Sequence, residues 1–160
     1  MNGRGESDVS RAVNAALEKT RGEPGPLLEI LHAVQAQLGC VPPQAVPPIA
    51  DALNLSRAEV HGVVSFYHHF RGTPAGRTHV QLCRAEACQS MRARELEAHA
   101  VRTLGVNVGE TTRDGRITLD AVYCLGNCAC APAMMVNGEL HGRMTPARFD
   151  ELAREWSANA

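Results

Sequence analysis

Six cysteines stand in this chain of 160 residues, and four of them form two spaced pairs. The first is Cys83-x4-Cys88; after 35 further residues comes Cys124-x3-Cys128. Disulfides rarely persist in a reducing compartment, where clustered thiols more often bind metal or carry out redox chemistry. A 2Fe–2S cluster takes four thiolates, two on each iron, and two loops with one pair each supply them. Structural zinc also uses four cysteines, but its pairs are commonly spaced by two residues, and neither pair here is. A dithiol redox enzyme requires C-x-x-C, which is absent, and two disulfides require an oxidising compartment. Spacing therefore favours a cluster, with zinc and disulfides as the competing readings.

The elements around the cysteines suit that chemistry. A short alternating strand, His79 to Cys83, ends on the first cysteine, and a strand from Ile117 to Val122 ends just before Cys124. Loops at the ends of neighbouring strands can bring both pairs together at one edge of a sheet. Gly126, inside Leu125-Gly126-Asn127, lets backbone N–H groups approach sulfide closely. Arg84 to Ala87 lead into a helix expected over Ser90–Leu104, whose N-terminus favours an anionic group. Strand-length pieces follow at Val106–Val108, Met134–Val136 and Glu139–His141, the last two joined by Asn137-Gly138, a strong hairpin signal. Thr145 and Pro146 open a closing helix with Phe149, Leu152, Ala153 and Trp156 on one stripe.

The first seventy residues read differently. Val9, Val13, Ala16 and Leu17 mark one amphipathic helix. Leu27, Leu28, Leu31, Val34 and Leu38 mark a second, ended by Gly39. A third is expected from Pro42 and Pro43 to about Leu53, and a fourth begins at Ser56, with Glu59 completing a capping box. No strand signal appears. A turn-rich linker, Arg71 to Thr78, separates the halves. The expected organisation is α+β: a helical bundle over 1–72 and a thioredoxin-like domain over 78–160.

The whole chain resembles the thioredoxin-like 2Fe–2S family that includes the 24 kDa subunit of respiratory complex I. The resemblance rests on Cys83-x4-Cys88, on Cys124-Leu-Gly-Asn-Cys128 followed by Ala131-Pro132, and on His61-Gly-Val-Val-Ser-Phe-Tyr67. It implies a 2Fe–2S cluster held by Cys83, Cys88, Cys124 and Cys128, and a partner flavoprotein carrying FMN and the NAD site. Within the family, Cys83-Arg-Ala-Glu-Ala-Cys88-Gln-Ser is most similar to the gamma subunit of cytoplasmic NAD-dependent formate dehydrogenases. That implies a molybdenum- or tungsten-containing formate-oxidising subunit in the same complex, and no catalytic activity of this chain alone. Complex I, an NAD-linked hydrogenase and a structural zinc module are the alternative settings.

Other residues add exclusions. Cys40 and Cys130 read as packing rather than ligands, although Cys130 lies close enough to substitute for Cys128. His61, His68 and His69 form no helical H-x3-H pair, so packing or surface exposure is the better reading. Phe66, Tyr67 and Phe70 are either helical core or a docking surface for the flavoprotein. The Ala131-Pro132 bond stands where thioredoxin folds often hold a cis proline. A formal charge of -1 with no basic run argues against nucleic acid. No apolar stretch approaches the ~18 residues of a bilayer span. Met1 to Ser10, polar and Gly-rich, lack the pattern of an export signal. A soluble cytoplasmic protein is expected.

Overall fold

Leucine and valine spacing drives the N-terminal half into helices, two of which end on left-handed caps at Gly39 and Asn54. A computed structural model describes residues 6–158. Residues 1–5, which hold much of the polar start, and residues 159–160 lie outside the described range. The chain divides into two compact units between Pro74 and Ala75.

The first unit contains α1 (Glu6–Lys19), α2 (Leu27–Leu38), α3 (Val46–Leu53) and α4 (Arg57–Phe66). Gly39 ends α2 with φ 74, a left-handed cap that glycine adopts without Cβ strain, and its N–H donates to Gln35 at 2.6 Å. The third helix starts later than its prolines indicate. Pro43–Ala45 form a separate 3-10 turn and α3 begins at Val46. Pro47 and Pro48 then sit in its first turn, where a missing N–H breaks no helical hydrogen bond. Val13, Ile30, Leu31, Ile49 and Val60 are fully buried in the core of this unit. Phe70 joins it, whereas Phe66 is 73% exposed, so the aromatic group is divided between core and surface. Cys40 is buried in this unit.

The capping box at α4 is complete. The Glu59 N–H donates to the Ser56 hydroxyl at 3.2 Å, and the Ser56 N–H donates to the Glu59 carboxylate at 2.8 Å. The Ser56 N–H and hydroxyl hold the Glu59 carboxyl below its ordinary value. A depressed carboxyl supports the folded state above its unfolded value, and that support is lost as acid takes the pH down through the folded value. Ser56→Ala is expected to destabilise the protein by about 1 kcal/mol in urea unfolding.

The second unit contains β1 (Thr78–Cys83), α5 (Glu86–Ser90), α6 (Ala93–Leu104), β2 (Glu110–Thr111), β3 (Ile117–Val122), β4 (Met134–Val136), β5 (Glu139–His141) and α7 (Pro146–Ala158). The sheet order is β2-β3-β1-β4-β5. β1 and β3 run parallel in register Thr78↔Ile117 through Cys83↔Val122, and the other pairs are antiparallel. Parallel neighbours need a crossover, and α5 and α6 provide it. Asn137 and Gly138, both at positive φ, close the β4–β5 hairpin. Thr145 caps α7, its hydroxyl accepting the Arg148 N–H at 3.2 Å. Phe149 is fully buried and meets Trp156 edge-on at 5.7 Å. The result is an α+β, thioredoxin-like fold.

In this second unit two further expectations fail locally. The helix read as Ser90–Leu104 starts earlier and is broken: α5 begins at Glu86, and Arg92 interrupts with φ 70 before α6. No strand forms at Val106–Val108. Asn107 instead donates its N–H to Glu110 at 2.9 Å, Gly109 turns at φ 94, and the edge strand is Glu110–Thr111.

Candidate metal centre

The parallel register decides where the thiols go. Cys83 closes β1 opposite Val122, the last residue of β3, and Cys124 follows two residues later. Both pairs are thereby anchored at the carboxyl ends of adjacent strands. Cys88 lies within α5, not ahead of a helix, and Cys128 opens a 3-10 turn, Cys128–Cys130. Cys83 and Cys88 are buried, while Cys124 and Cys128 are exposed. The site therefore has a closed side and an open side.

The thiols interact as a set. The Sγ atoms of Cys124 and Cys128 are 3.8 Å apart, about the edge of a tetrahedron of thiolates each ~2.3 Å from one metal. That separation is far beyond the ~2.05 Å of a disulfide. Cys83 and Cys88 each shift the other's titration, and Cys128 feels the charge of Cys83. Among the described residues, no three His, Cys, Asp or Glu side chains gather around one ion position. The donors come in twos.

Backbone amides converge on the same sulfurs. Burial pushes the Cys83 thiol up, but N–H groups of Ala85, Cys124 and Leu125, with the Cys88 thiol, together bring it below its ordinary value. Burial pushes Cys88 up, with the neighbouring charge of Cys83 adding to it and a hydrogen bond from Ala133 opposing. Cys128 is raised by its hydrogen bond to Cys124 and by that thiolate's charge. Burial and mutual charge oppose deprotonation of Cys88 and Cys128, and a cationic metal core relieves that opposition. Around them lie small residues: Ala85, Ala93, Ala131 and Ala133, with Val122 and Leu125. This donor set fits a 2Fe–2S cluster.

Several contributors escaped the sequence. Cys124 has φ 81, a left-handed conformation that costs a non-glycine residue about 1–3 kcal/mol and clusters at functional sites. It lies in the turn whose Cys124 and Leu125 amides point at Cys83. Gly126, already marked by its residue type, is at φ 76 and its N–H donates to the Cys124 sulfur at 3.4 Å. Gly142 has no turn to make; a Cβ there would meet Cys130 Cβ and Asn127 Nδ2 at 2.7 Å. A glycine just beyond a strand, where neither loop nor cap demands one, was the available signal. The Ala131-Pro132 bond is cis, in line with the expectation. Cys130 is half-buried in the turn that carries Cys128. Cys40 belongs to the other unit.

Comparison with known proteins agrees with this geometry. The family described as Thioredoxin-like [2Fe-2S] ferredoxin matches residues 13–157. A component of the NADH-quinone oxidoreductase of Rhizobium meliloti (strain 1021) is 34% identical over 91% of this chain and 87% of its own length. The HndA component of the NADP-reducing hydrogenase of Solidesulfovibrio fructosivorans is 32% identical over 91% of this chain and 85% of its own. Among solved structures, an air-oxidised NAD+-reducing [NiFe]-hydrogenase aligns with TM-score 0.70 and 28% identity over 89% of this chain. This chain spans only 24% of that hydrogenase chain. With its α+β fold and paired thiols, the chain belongs to the thioredoxin-like 2Fe–2S ferredoxin family, whose cofactor is a 2Fe–2S cluster.

Proposed function

We propose that Cys83, Cys88, Cys124 and Cys128 hold the cluster and that this chain is the electron-transfer subunit of an NAD-linked oxidoreductase. The observation that carries this reading is the placement of two thiol pairs at the carboxyl ends of β1 and β3. A 2Fe–2S cluster supplies one-electron transfer when bound. The chain's own residues do the rest. Cys83 and Cys88 anchor the closed side, and the alanines around them keep water from the sulfurs. Amides of Ala85, Cys124, Leu125 and Gly126 stabilise negative charge there, which is one of the ways a protein sets a reduction potential. The exposed pair, Cys124 and Cys128, faces the electron partner, a flavoprotein carrying FMN and the NAD site. Hydride chemistry with NAD belongs to that partner.

The specific assembly we infer is a cytoplasmic NAD-dependent formate dehydrogenase, with this chain as its gamma subunit beside a molybdenum or tungsten formate-oxidising subunit. Supporting it is the segment Cys83-Arg-Ala-Glu-Ala-Cys88-Gln-Ser. A second reading is favoured by the names of the relatives, which are subunits of NADH-quinone oxidoreductases and of an NADP-reducing hydrogenase. Purification of the native complex separates the two. Flavin reducible by formate in the purified complex supports the formate dehydrogenase; flavin that ignores formate but couples to quinone or hydrogen contradicts it. Among the described residues, no helix is long and apolar enough to cross a membrane.

A further inference from the structure

Arg84 follows the first cysteine directly and is tied by both its backbone and its side chain. Its N–H donates to Val122 at 2.8 Å, extending the β1–β3 ladder one residue beyond Cys83. Its carbonyl accepts Gln89 Nε2 at 2.7 Å, and Gln89 immediately follows Cys88. Its side chain leaves the loop altogether. Nε and one terminal nitrogen donate to both carboxylate oxygens of Glu97 on α6, at 2.5 and 2.7 Å. The pair is only partly exposed, 34% for Arg84 and 25% for Glu97, so water screens it incompletely. A bidentate arginine–carboxylate contact fixes both distance and plane, which a lysine cannot do. None of this is needed for the crossover, and α6 is already packed through Leu96 and Ala100.

Resting on the ligand assignment above, we propose that Arg84 is a positioning residue for the cluster and that Arg84 and Glu97 form a matched pair of charges that sets its reduction potential. Reduction adds one electron and makes or breaks no bond with the chain. A nearby positive charge therefore stabilises the reduced state, and a negative one destabilises it. The signs do not depend on which partner lies nearer the sulfurs. Arg84→Gln leaves Glu97 uncompensated and lowers the potential; Glu97→Gln leaves Arg84 uncompensated and raises it. The double substitution restores a potential near that of the parent protein. Arg84→Lys keeps the charge but loses the fork, so its shift is smaller than that of Arg84→Gln.

The test is a dithionite titration of the cluster-loaded full-length chain, followed by EPR, on the four variants. Iron and sulfide are assayed alongside. Expected shifts are about threefold to tenfold in the ratio of reduced to oxidised cluster, tenfold being about 59 mV for a one-electron couple. Opposite shifts for Arg84→Gln and Glu97→Gln support the proposal, because a merely loosened loop moves both the same way. Loaded variants with unchanged or like-signed potentials overturn it while leaving the cysteine assignment standing. If Arg84→Gln fails to load, Glu97→Gln decides alone: a potential at or below the parent's overturns the proposal. A parent chain without iron and sulfide overturns the cysteine assignment instead.

Discussion

Cys83→Ser is expected to lose most of the iron and sulfide, and Cys124→Ser to do the same. Serine offers a harder, far less acidic donor in place of a thiolate. Cys83 is also the sulfur on which the amides of Ala85, Cys124 and Leu125 converge. On the proposed assignment, its replacement removes a ligand together with the acceptor of those amides. Cys124 carries the other half of the arrangement, 3.8 Å from Cys128. Cys40→Ser retains the cluster, because Cys40 is buried in the helical unit, outside the unit that contains the two pairs. Iron and sulfide assays on the three proteins, each checked for native circular dichroism, make the comparison. Loss of iron from Cys40→Ser equal to that from Cys83→Ser would contradict the assignment.

Gly142→Ala, a change of one methyl group outside every cysteine motif, is expected to act almost as strongly. The added Cβ would lie 2.7 Å from Cys130 Cβ and 2.9 Å from the Cys130 carbonyl oxygen, closer than real contacts allow. Asn127 can swing its amide away, but the backbone of the Cys128–Cys130 turn has to move. That backbone is pinned from the same side, since the Arg143 N–H donates to the Cys130 carbonyl at 2.6 Å. Overpacking of this kind typically costs about 1–3 kcal/mol. Displacing Cys128 from its place beside Cys124 weakens cluster retention about tenfold, the usual range for supporting residues of a metal site. Loss of the visible absorbance in the presence of an iron chelator measures it. Gly142→Ala that holds its cluster as long as the parent would show that the turn has slack.

Much of the fold was legible because the chain marks it locally. Gly39 after Leu38, Ser56 with Glu59, Asn137-Gly138 and Thr145-Pro146 each require one backbone geometry, and each is found where its residues stand. Both cysteine pairs could be placed at strand ends because β1 and β3 carry plain β patterning. The break at Arg92 was not legible. Leu96, Ala100 and Leu104 keep helical spacing, and neither glycine nor proline marks the interruption, so tertiary demand at Cys88 outweighs local preference there. Val106–Val108 alternates like a strand, yet the Asn107–Glu110 hydrogen bonds and Gly109 turn the chain first. Arg84–Glu97 spans thirteen residues and two elements, which no periodicity reveals. The left-handed Cys124 was equally hidden, since its strain is imposed by the loop and not by its residue type.

If four thiolates of this chain hold a 2Fe–2S cluster for one-electron transfer, iron and sulfide must travel with the purified protein. Metal and acid-labile sulfide analysis of the purified chain, with EPR before and after dithionite, tests it most directly. The expected result is a reddish-brown protein with two irons and two sulfides per chain, EPR-silent when oxidised and giving a signal after one-electron reduction. A colourless protein that holds zinc, lacks sulfide and stays silent after dithionite would contradict it.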